Sequence, residues 1–237
     1  MKSKGFFTAM LLFGLTALMA QGQSVYVRDT QNWDMKKLDT ACDSMYLSEN
    51  ERNIVLELNM VRSDPQKYAR LYIKPRLTKY VGLRYDLGND HWMVTSEGVA
   101  AVQECIEVLN VAKSCLPLYP DSKLSRMSKY HTDMQGATEL VGHDSPNGET
   151  FSGRIKRFKI PYINCAENID YGRSSARDIV VGLLVDDAVP SRGHRANILN
   201  NIYNKVGVGC GTHLKYRYMC VMDFVRFIDF SRKPVNK

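Results

Sequence analysis

"KVGVGCGTHLKYRYMCVMDFVRFIDF", residues 205–230, decides the fold. The stretch is β-rich and apolar on both alternating faces, the pattern of strands in a sheet that is covered on both sides. "GTHLKYRYM" between Cys210 and Cys220 has the character of a hairpin turn region, so strands are expected at 206–210 and 216–228. Just upstream, "SARDIVVGLLVDDAVP" (175–190) is apolar almost all round from Ile179 to Val185. Such a helix is buried rather than amphipathic. Ser175 and Asp178 stand where they can cap it and Pro190 lies beyond its end, which predicts a helix over 176–188. With helices before it and a hairpin covered on both faces after it, the chain is expected to form a mixed α/β fold, a three-layer α-β-α sandwich.

The N-terminal half supplies those further helices. "SENERNIVLELNMVRSDP" (48–65) opens with Ser48 and Glu51 in capping-box spacing and puts Ile54, Leu58 and Val61 on one face, with Pro65 as its stop. "SEGVAAVQECIEVLNV" (96–111) is a second amphipathic helix through Val102, Ile106 and Leu109. "DSKLSRMSKYHTDMQGA" (121–137) is a third, aligning Leu124, Met127, His131 and Met134, so His131 is assigned to the core. Residues 75–95 show no firm period and are expected to be a long connection carrying a little strand.

Composition sets the outer limits. The 237 residues are 44% hydrophobic with 8 prolines and no low-complexity tract, enough to bury one good core in a single domain. No repeat recurs at a fixed period, which argues against a solenoid. The formal charge is +7, yet lysines and arginines are spread singly except in "RIKRFK" (154–159). That distribution is a solvated basic surface rather than a nucleic-acid footprint.

Lys2 and Lys4 precede "GFFTAMLLFGLTALMAQGQ" (5–23), a short apolar core followed by small residues. This is the layout of a secretory signal peptide with cleavage after Ala20. Losing the two lysines takes the formal charge from +7 to +5 (7 − 2). No later apolar run reaches spanning length, and no cysteine follows the leader directly to carry a lipid. The chain is therefore expected to be a secreted, periplasmic or extracellular monomer without an integral membrane segment. Its plan is signal peptide 1–20, an N-terminal extension 21–47 and one domain over 48–232.

Export changes the reading of the cysteines. Cys42, Cys105, Cys115, Cys165, Cys210 and Cys220 are an even number in an oxidising compartment, and none has CxxC spacing. Cys210 and Cys220 flank the hairpin turn and are expected to pair across it. Cys105, placed at the end of an apolar helical stretch, and Cys115 in the following loop would make a short closure. By elimination Cys42 would meet Cys165.

Four places carry candidate chemistry. In "GHDSPNGETF" (142–151) His143 leads into a turn built on Asn147-Gly148. In "NCAENIDYG" (164–172) Glu167 stands beside Asn168 after an apolar approach. Asp186 and Asp187 close the buried helix, where carboxylates oppose the helix dipole and call for a cationic partner. In "SRGHRANILN" (191–200) His194 precedes a short apolar run. Taken singly these are a surface histidine, a solvated glutamate, a salt-bridged acid and a turn residue.

Taken together they carry a resemblance. "GHDSPNGETFSGRI", "CAENIDYG" and "SRGHRANIL" followed by "KVGVG" resemble the successive motifs of the CAP superfamily, the cysteine-rich secretory, antigen 5 and pathogenesis-related proteins, also called the SCP domain. The likeness extends upstream to "LNMVRSDPQKYA" with Asn59 and Arg62 and to "LSRMSKYHTDM", covering roughly residues 48–228 in the family's order. The short "GHRANIL" form is similar to the bacterial branch. The resemblance implies a three-layer α-β-α sandwich with a central cleft of two histidines and two acids. Carried over by motif, these are His143, His194 and Glu167. The fourth is Asp186, with Asp187 as the alternative, where many members have glutamate.

Neutral imidazoles are good zinc or copper ligands, and a carboxylate on the far ring nitrogen fixes their tautomer. His143 and His194 alone would make an open site that holds a divalent metal such as zinc weakly. No serine or cysteine lies in a recognisable nucleophile motif. The expected function is a non-enzymatic binding module that engages a lipid, glycan or protein ligand, and not nucleic acid. The alternative is a metal-assisted, protease-like hydrolase acting at the same cleft.

Overall fold

The structure is a computed structural model that describes residues 26–227. The signal-peptide assignment at 1–20 lies outside the described residues. The first part of the chain folds as α1 (Met35–Leu38), α2 (Glu49–Ser63) and α3 (Pro65–Tyr68), then β1 (Tyr80–Val81), β2 (Arg84–Gly88) and β3 (His91–Val94). After α4 (Val99–Val111) come β4 (Tyr119–Pro120), α5 (Ser122–Gly136), α6 (Phe151–Arg157) and β5 (Asn164–Tyr171). The chain closes with α7 (Ala176–Val185), α8 (Gly193–Ile198), β6 (Lys205–His213) and β7 (Arg217–Arg226).

The main sheet has the order β4-β6-β7-β5, with β6, β7 and β5 antiparallel and β4 parallel to β6. Helices cover both of its faces, so the fold is the three-layer α-β-α sandwich. Val206, Val208, Cys220, Met222 and Phe224 form one inner face with the apolar side chains of α2 and α7. The other face of β6 differs from the expectation of two apolar faces: it is Gly207, Gly209 and Gly211. A Cβ on Gly209 would lie 2.4 Å from the backbone nitrogen of Lys129, and one on Gly207 2.4 Å from the carbonyl carbon of Leu124. Helix α5 therefore lies directly on the strand backbone, and only glycine permits that approach. Hydroxyls seal the contact: Thr132 Oγ1 donates to the Gly209 carbonyl at 2.8 Å, and Ser125 Oγ accepts from the Val208 amide at 3.3 Å.

Helix α2 starts where Ser48 and Glu51 form the reciprocal capping box. Helix α7 begins at the Ser175 cap but ends at Val185, three residues short of the expectation, because Asp186 and Ala188 take positive φ values of 56° and 66°. Residues 75–95 are more ordered than periodicity shows: they contain the three-stranded antiparallel sheet β1-β2-β3. Asn89 and Asp90, with φ of 51° and 60°, form a two-residue turn of the primed type whose twist suits a hairpin. The stretch before α2 joins the same core, with Leu38, Ala41 and Leu47 buried and Asn59 Nδ2 donating to the Leu38 carbonyl at 2.9 Å. Among the described residues no helix is long and apolar enough to cross a membrane.

Candidate functional site

Strand β5 is an edge strand of the sheet, and its alternation places neighbouring residues on opposite faces. Glu167 shares a face with its cross-strand partner Asp223, which accepts from Ser128 Oγ of α5 at 2.7 Å. Asn168 faces the opposite layer, where its Nδ2 donates to the His194 carbonyl at 3.0 Å and its Oδ1 accepts from Asn197 at 2.8 Å. The two halves of the predicted site thus come from different layers and meet at one edge.

In the first half, His143 Nδ1 donates to Glu167 Oε1 at 2.8 Å. The other carboxylate oxygen takes Arg154 Nη2 at 2.6 Å. Arg154 is fully buried, and its Nη1 also donates to the His143 carbonyl at 2.8 Å and to Ser145 Oγ at 3.2 Å. One guanidinium therefore fixes both the acid and the loop that presents the histidine. Burial works against the charge on Glu167, but the hydrogen bond from His143 and the charge of Arg154 outweigh it and hold the carboxyl below its usual range. The same bond raises His143 above an ordinary histidine. Asp223 is pushed well above the carboxylate range by burial and by Glu167 beside it.

In the second half, the Asp186 carboxylate accepts twice from His194, at 2.6 Å from Nδ1 and 3.0 Å from the backbone N–H. Asp186 and Arg192 hold left-handed φ values of 56° and 51°, so the turn between α7 and α8 carries strain that its contacts must offset. Arg192 donates to the Asp186 carbonyl and both Glu97 oxygens, and Arg195 ties α8 to Glu104 and the Leu184 carbonyl. Arg62, also fully buried, donates to the carbonyls of Leu116, Ile198 and Asn200 and fixes the end of α8. The alternative acid, Asp187, is occupied elsewhere, accepting from the Ser96 and Glu97 amides at 2.7 and 2.8 Å.

His143, Glu167, Asp186 and His194 therefore form two acid–imidazole pairs in which each Nδ1 is engaged. Among the described residues neither Nε2 has a partner. His131 is a buried support: its ring nitrogens contact Ser145 Oγ and the Gly142 carbonyl at 3.0 and 3.1 Å, and burial lowers its proton affinity. The "RIKRFK" cluster is only partly the solvated surface it resembles. Lys156, Arg157 and Lys159 are exposed, but Arg154 sits inside beneath Glu167.

All six cysteines are free thiols in the structure. Cys210 and Cys220 are directly opposed in the β6–β7 register. The other expected pairs stand in different surroundings. Cys105 is buried in mid-helix rather than at a helix end and lies near Arg195, whereas Cys115 Sγ faces the Leu199 carbonyl at 3.1 Å. Cys42 is exposed beside Asp39 and Asp43, and Cys165 lies on β5 toward Asp223.

The sequence model of the CAP family, the cysteine-rich secretory protein family, matches residues 106–224, half of the chain. The chain belongs to the CAP family. That match spans His143, Glu167, Asp186 and His194. An uncharacterised Bacillus subtilis protein, YkwD, is 30% identical over 93 residues, 39% of this CAP chain and 34% of its own length. The chain thus spans about a third of the length of the curated relative it matches. An extracellular SCP-domain protein of Bacillus anthracis aligns at 23% identity over 54% of this chain and 38% of its own, with a TM-score of 0.39. Venom allergen-like protein 4 of Schistosoma mansoni aligns at 14% identity over 79% of this chain and 97% of its own, with a TM-score of 0.41.

Asn168 was not singled out from sequence. Nor was Arg154, whose one local signal is its place in the family motif ending "FSGRI".

Proposed function

We propose that this CAP domain is a secreted, non-enzymatic binding module whose histidine cleft takes a divalent metal weakly and which engages a lipid, glycan or protein ligand. The observation that carries the reading is the pair of carboxylate-backed imidazoles, one from each layer at the β5 edge, with Nε2 of each left over. A carboxylate on Nδ1 is the arrangement that orients and strengthens a metal-ligating histidine, so the donor set fits zinc. Among the described residues no group of three or more His, Cys, Asp or Glu side chains is disposed around one point, so His143 and His194 would hold the ion and water would complete its shell. A bound zinc supplies Lewis acidity. The chain's own residues supply orientation, through Glu167, Arg154 and Asp186. Secretion is supported by the basic and apolar leader, and an oxidising destination would let Cys210 and Cys220 join.

The hydrolase alternative finds less support. A metal hydrolase typically presents three protein ligands and a base, and both acids here are already bonded to the histidines. Calorimetric titration with zinc tests the reading. One weak site in the wild type, lost in His143→Ala and in His194→Ala but kept in His131→Ala, is the expected result. Wild-type-like binding by both cleft variants overturns the metal pair.

A further inference from the structure

Asp223 of β7 is fully buried, on the face of the sheet that α5 covers, and belongs to neither acid–imidazole pair. Its Oδ2 accepts from Ser128 Oγ at 2.7 Å, and no donor reaches its Oδ1. The groups around it come from four elements. Glu167 stands directly across the strand pair on β5, with Cys165 on the same strand also within electrostatic reach. Arg154 of α6 supplies a positive charge. His131 of α5, beside Ser128, acts on Glu167, and its burial disfavours a charge there. Gly207, opposite on β6, has no side chain to offer.

Two carboxyl groups and one guanidinium thus share this enclosure. Arg154 pairs with Glu167 and balances one negative charge, not two. Both Glu167 oxygens already accept, one from His143 and one from Arg154. A second carboxylate beside it would be a buried charge with neither a cation nor a donor on Oδ1, and a fold avoids that by protonating the group. A proton on Oδ1 removes the charge and turns an unpartnered acceptor into a donor. Opposed side chains on one face of a strand pair have Cβ atoms about 4.5–5.5 Å apart, close enough for one carboxyl to bond the other. Glu167 is the hydrogen-bond partner within reach, and its charge together with burial pushes Asp223 up.

We infer that Asp223 is a neutral carboxylic acid that donates its proton to Glu167, and that it is thereby a positioning residue for His143. The contacts then run from Ser128 Oγ to Asp223 Oδ2, from Asp223 Oδ1 to Glu167, and between Glu167 and the imidazole. With His143 and Arg154, Asp223 is the third donor to Glu167, so the carboxylate is held from β7 as well as from α6 and the histidine loop. An acid fixed in this way fixes the ring it bonds, and with it the direction of Nε2. The consequence for metal binding rests on the cleft reading above. The proton on Asp223 does not.

The test uses the mature chain with carbon-13 in its aspartate carboxyl groups. One aspartate signal, missing from Asp223→Asn, should remain that of the protonated acid at about pH 7, where an ordinary aspartate, titrating at about 3.9, is ionised. An ionised Asp223 overturns the inference and points instead to a water joining Oδ1 to Arg154 Nε, which is also buried without a partner. Stability is a second readout. A proton held more tightly in the folded chain than in the unfolded one is favourable at low pH and costs stability as pH rises. Wild type should therefore lose ground to Asp223→Asn above about pH 4, by about tenfold in the unfolding constant per pH unit. A ratio that stays constant between about pH 5 and 7 overturns the proton. For the positioning role, Asp223→Val removes the donor and should move the His143 ring resonances and weaken zinc binding roughly tenfold, and Asp223→Asn, which keeps a donor, should restore both. Unmoved resonances and wild-type zinc affinity in the valine variant overturn that role. If the valine variant folds poorly, a loss of about tenfold or more in the asparagine variant overturns it. No zinc binding by the wild type overturns the metal reading alone, and the His143 resonances then decide the positioning.

Discussion

Gly209→Ala adds a single methyl group, yet it should be among the more damaging substitutions in this chain. A Cβ at that position would sit 2.4 Å from Lys129 N, 2.6 Å from Lys129 Cα and 2.7 Å from the Ser128 carbonyl carbon. Favourable contacts between carbon atoms lie at about 3.5–4.0 Å, so helix α5 would have to lift by about 1 Å. None of those atoms belongs to a side chain that can rotate aside. Lifting the helix also stretches the Thr132–Gly209 and Ser128–Asp223 bonds, both buried. Overpacking a dense interior costs roughly 1–3 kcal/mol, and the rigid backbone neighbours put this case at the upper end. For a domain of this size that is a fall in Tm of roughly 6–12 °C. Urea unfolding followed by fluorescence and circular dichroism gives the free energy directly. Val208→Ala, facing the other layer, is the control, since it opens a small cavity instead of creating a clash. Gly209→Ala within about 0.5 kcal/mol of wild type would refute the close seating of α5 on β6.

Leu184→Ala, at a fully buried position of α7, should cost about 2–5 kcal/mol through the cavity it leaves, and an unchanged denaturation midpoint would put that helix on the surface. Arg154→Met leaves Glu167 buried without its guanidinium, and breaking such a pair should cost about 3–5 kcal/mol, with the His143 ring resonances shifting in the same variant. NMR titration should find His143 above the ordinary histidine value of about 6.5 and returned toward it in Glu167→Gln. Its stabilising contribution is then complete below about pH 6.5 and lost as pH rises through the raised folded value, and a titration at or below 6.5 contradicts the bond. In protein recovered from an oxidising compartment, peptide mapping should join Cys210 to Cys220, and a free Cys220 there counts against the pairing.

The sandwich was legible because two strong patterns agree on it, an all-round apolar helix at 179–185 and alternating strands at the end of the chain. What the pattern could not show is that a glycine face packs as well as an apolar one when a helix can lie on it. The sheet over 80–94 was legible only as a little strand for another reason: its strands are two to five residues long, too short for a period, and the turn at Asn89-Asp90 is its one local mark. At the site, the motifs named His143, Glu167, His194 and either Asp186 or Asp187, and the contact between Asp186 and His194 depends on which acid the left-handed turn swings toward that ring. The supporting arginines, Arg154 and Arg62, were hidden because residue type alone places arginine at the surface. The Arg62 partners lie 54 to 141 positions away, beyond any local window, and the carboxylate that Arg154 pairs with stands on a strand 13 positions on.

The pleat of β5 has a consequence of its own. Glu167 holds one histidine ring and its neighbour Asn168 holds the backbone of the segment carrying the other, so the offset between those two anchors is set across one peptide unit. A flexible loop of any length would be a poorer ruler, because a planar peptide within a hydrogen-bonded strand barely changes its length or tilt. The same economy makes the site brittle toward register. A slip of one residue along β7 would exchange the two faces, turning the glutamate toward the layer of α8 and the asparagine toward that of α5. His143 would lose Glu167 and the α8 segment would lose Asn168 in a single step, leaving His194 with Asp186 alone.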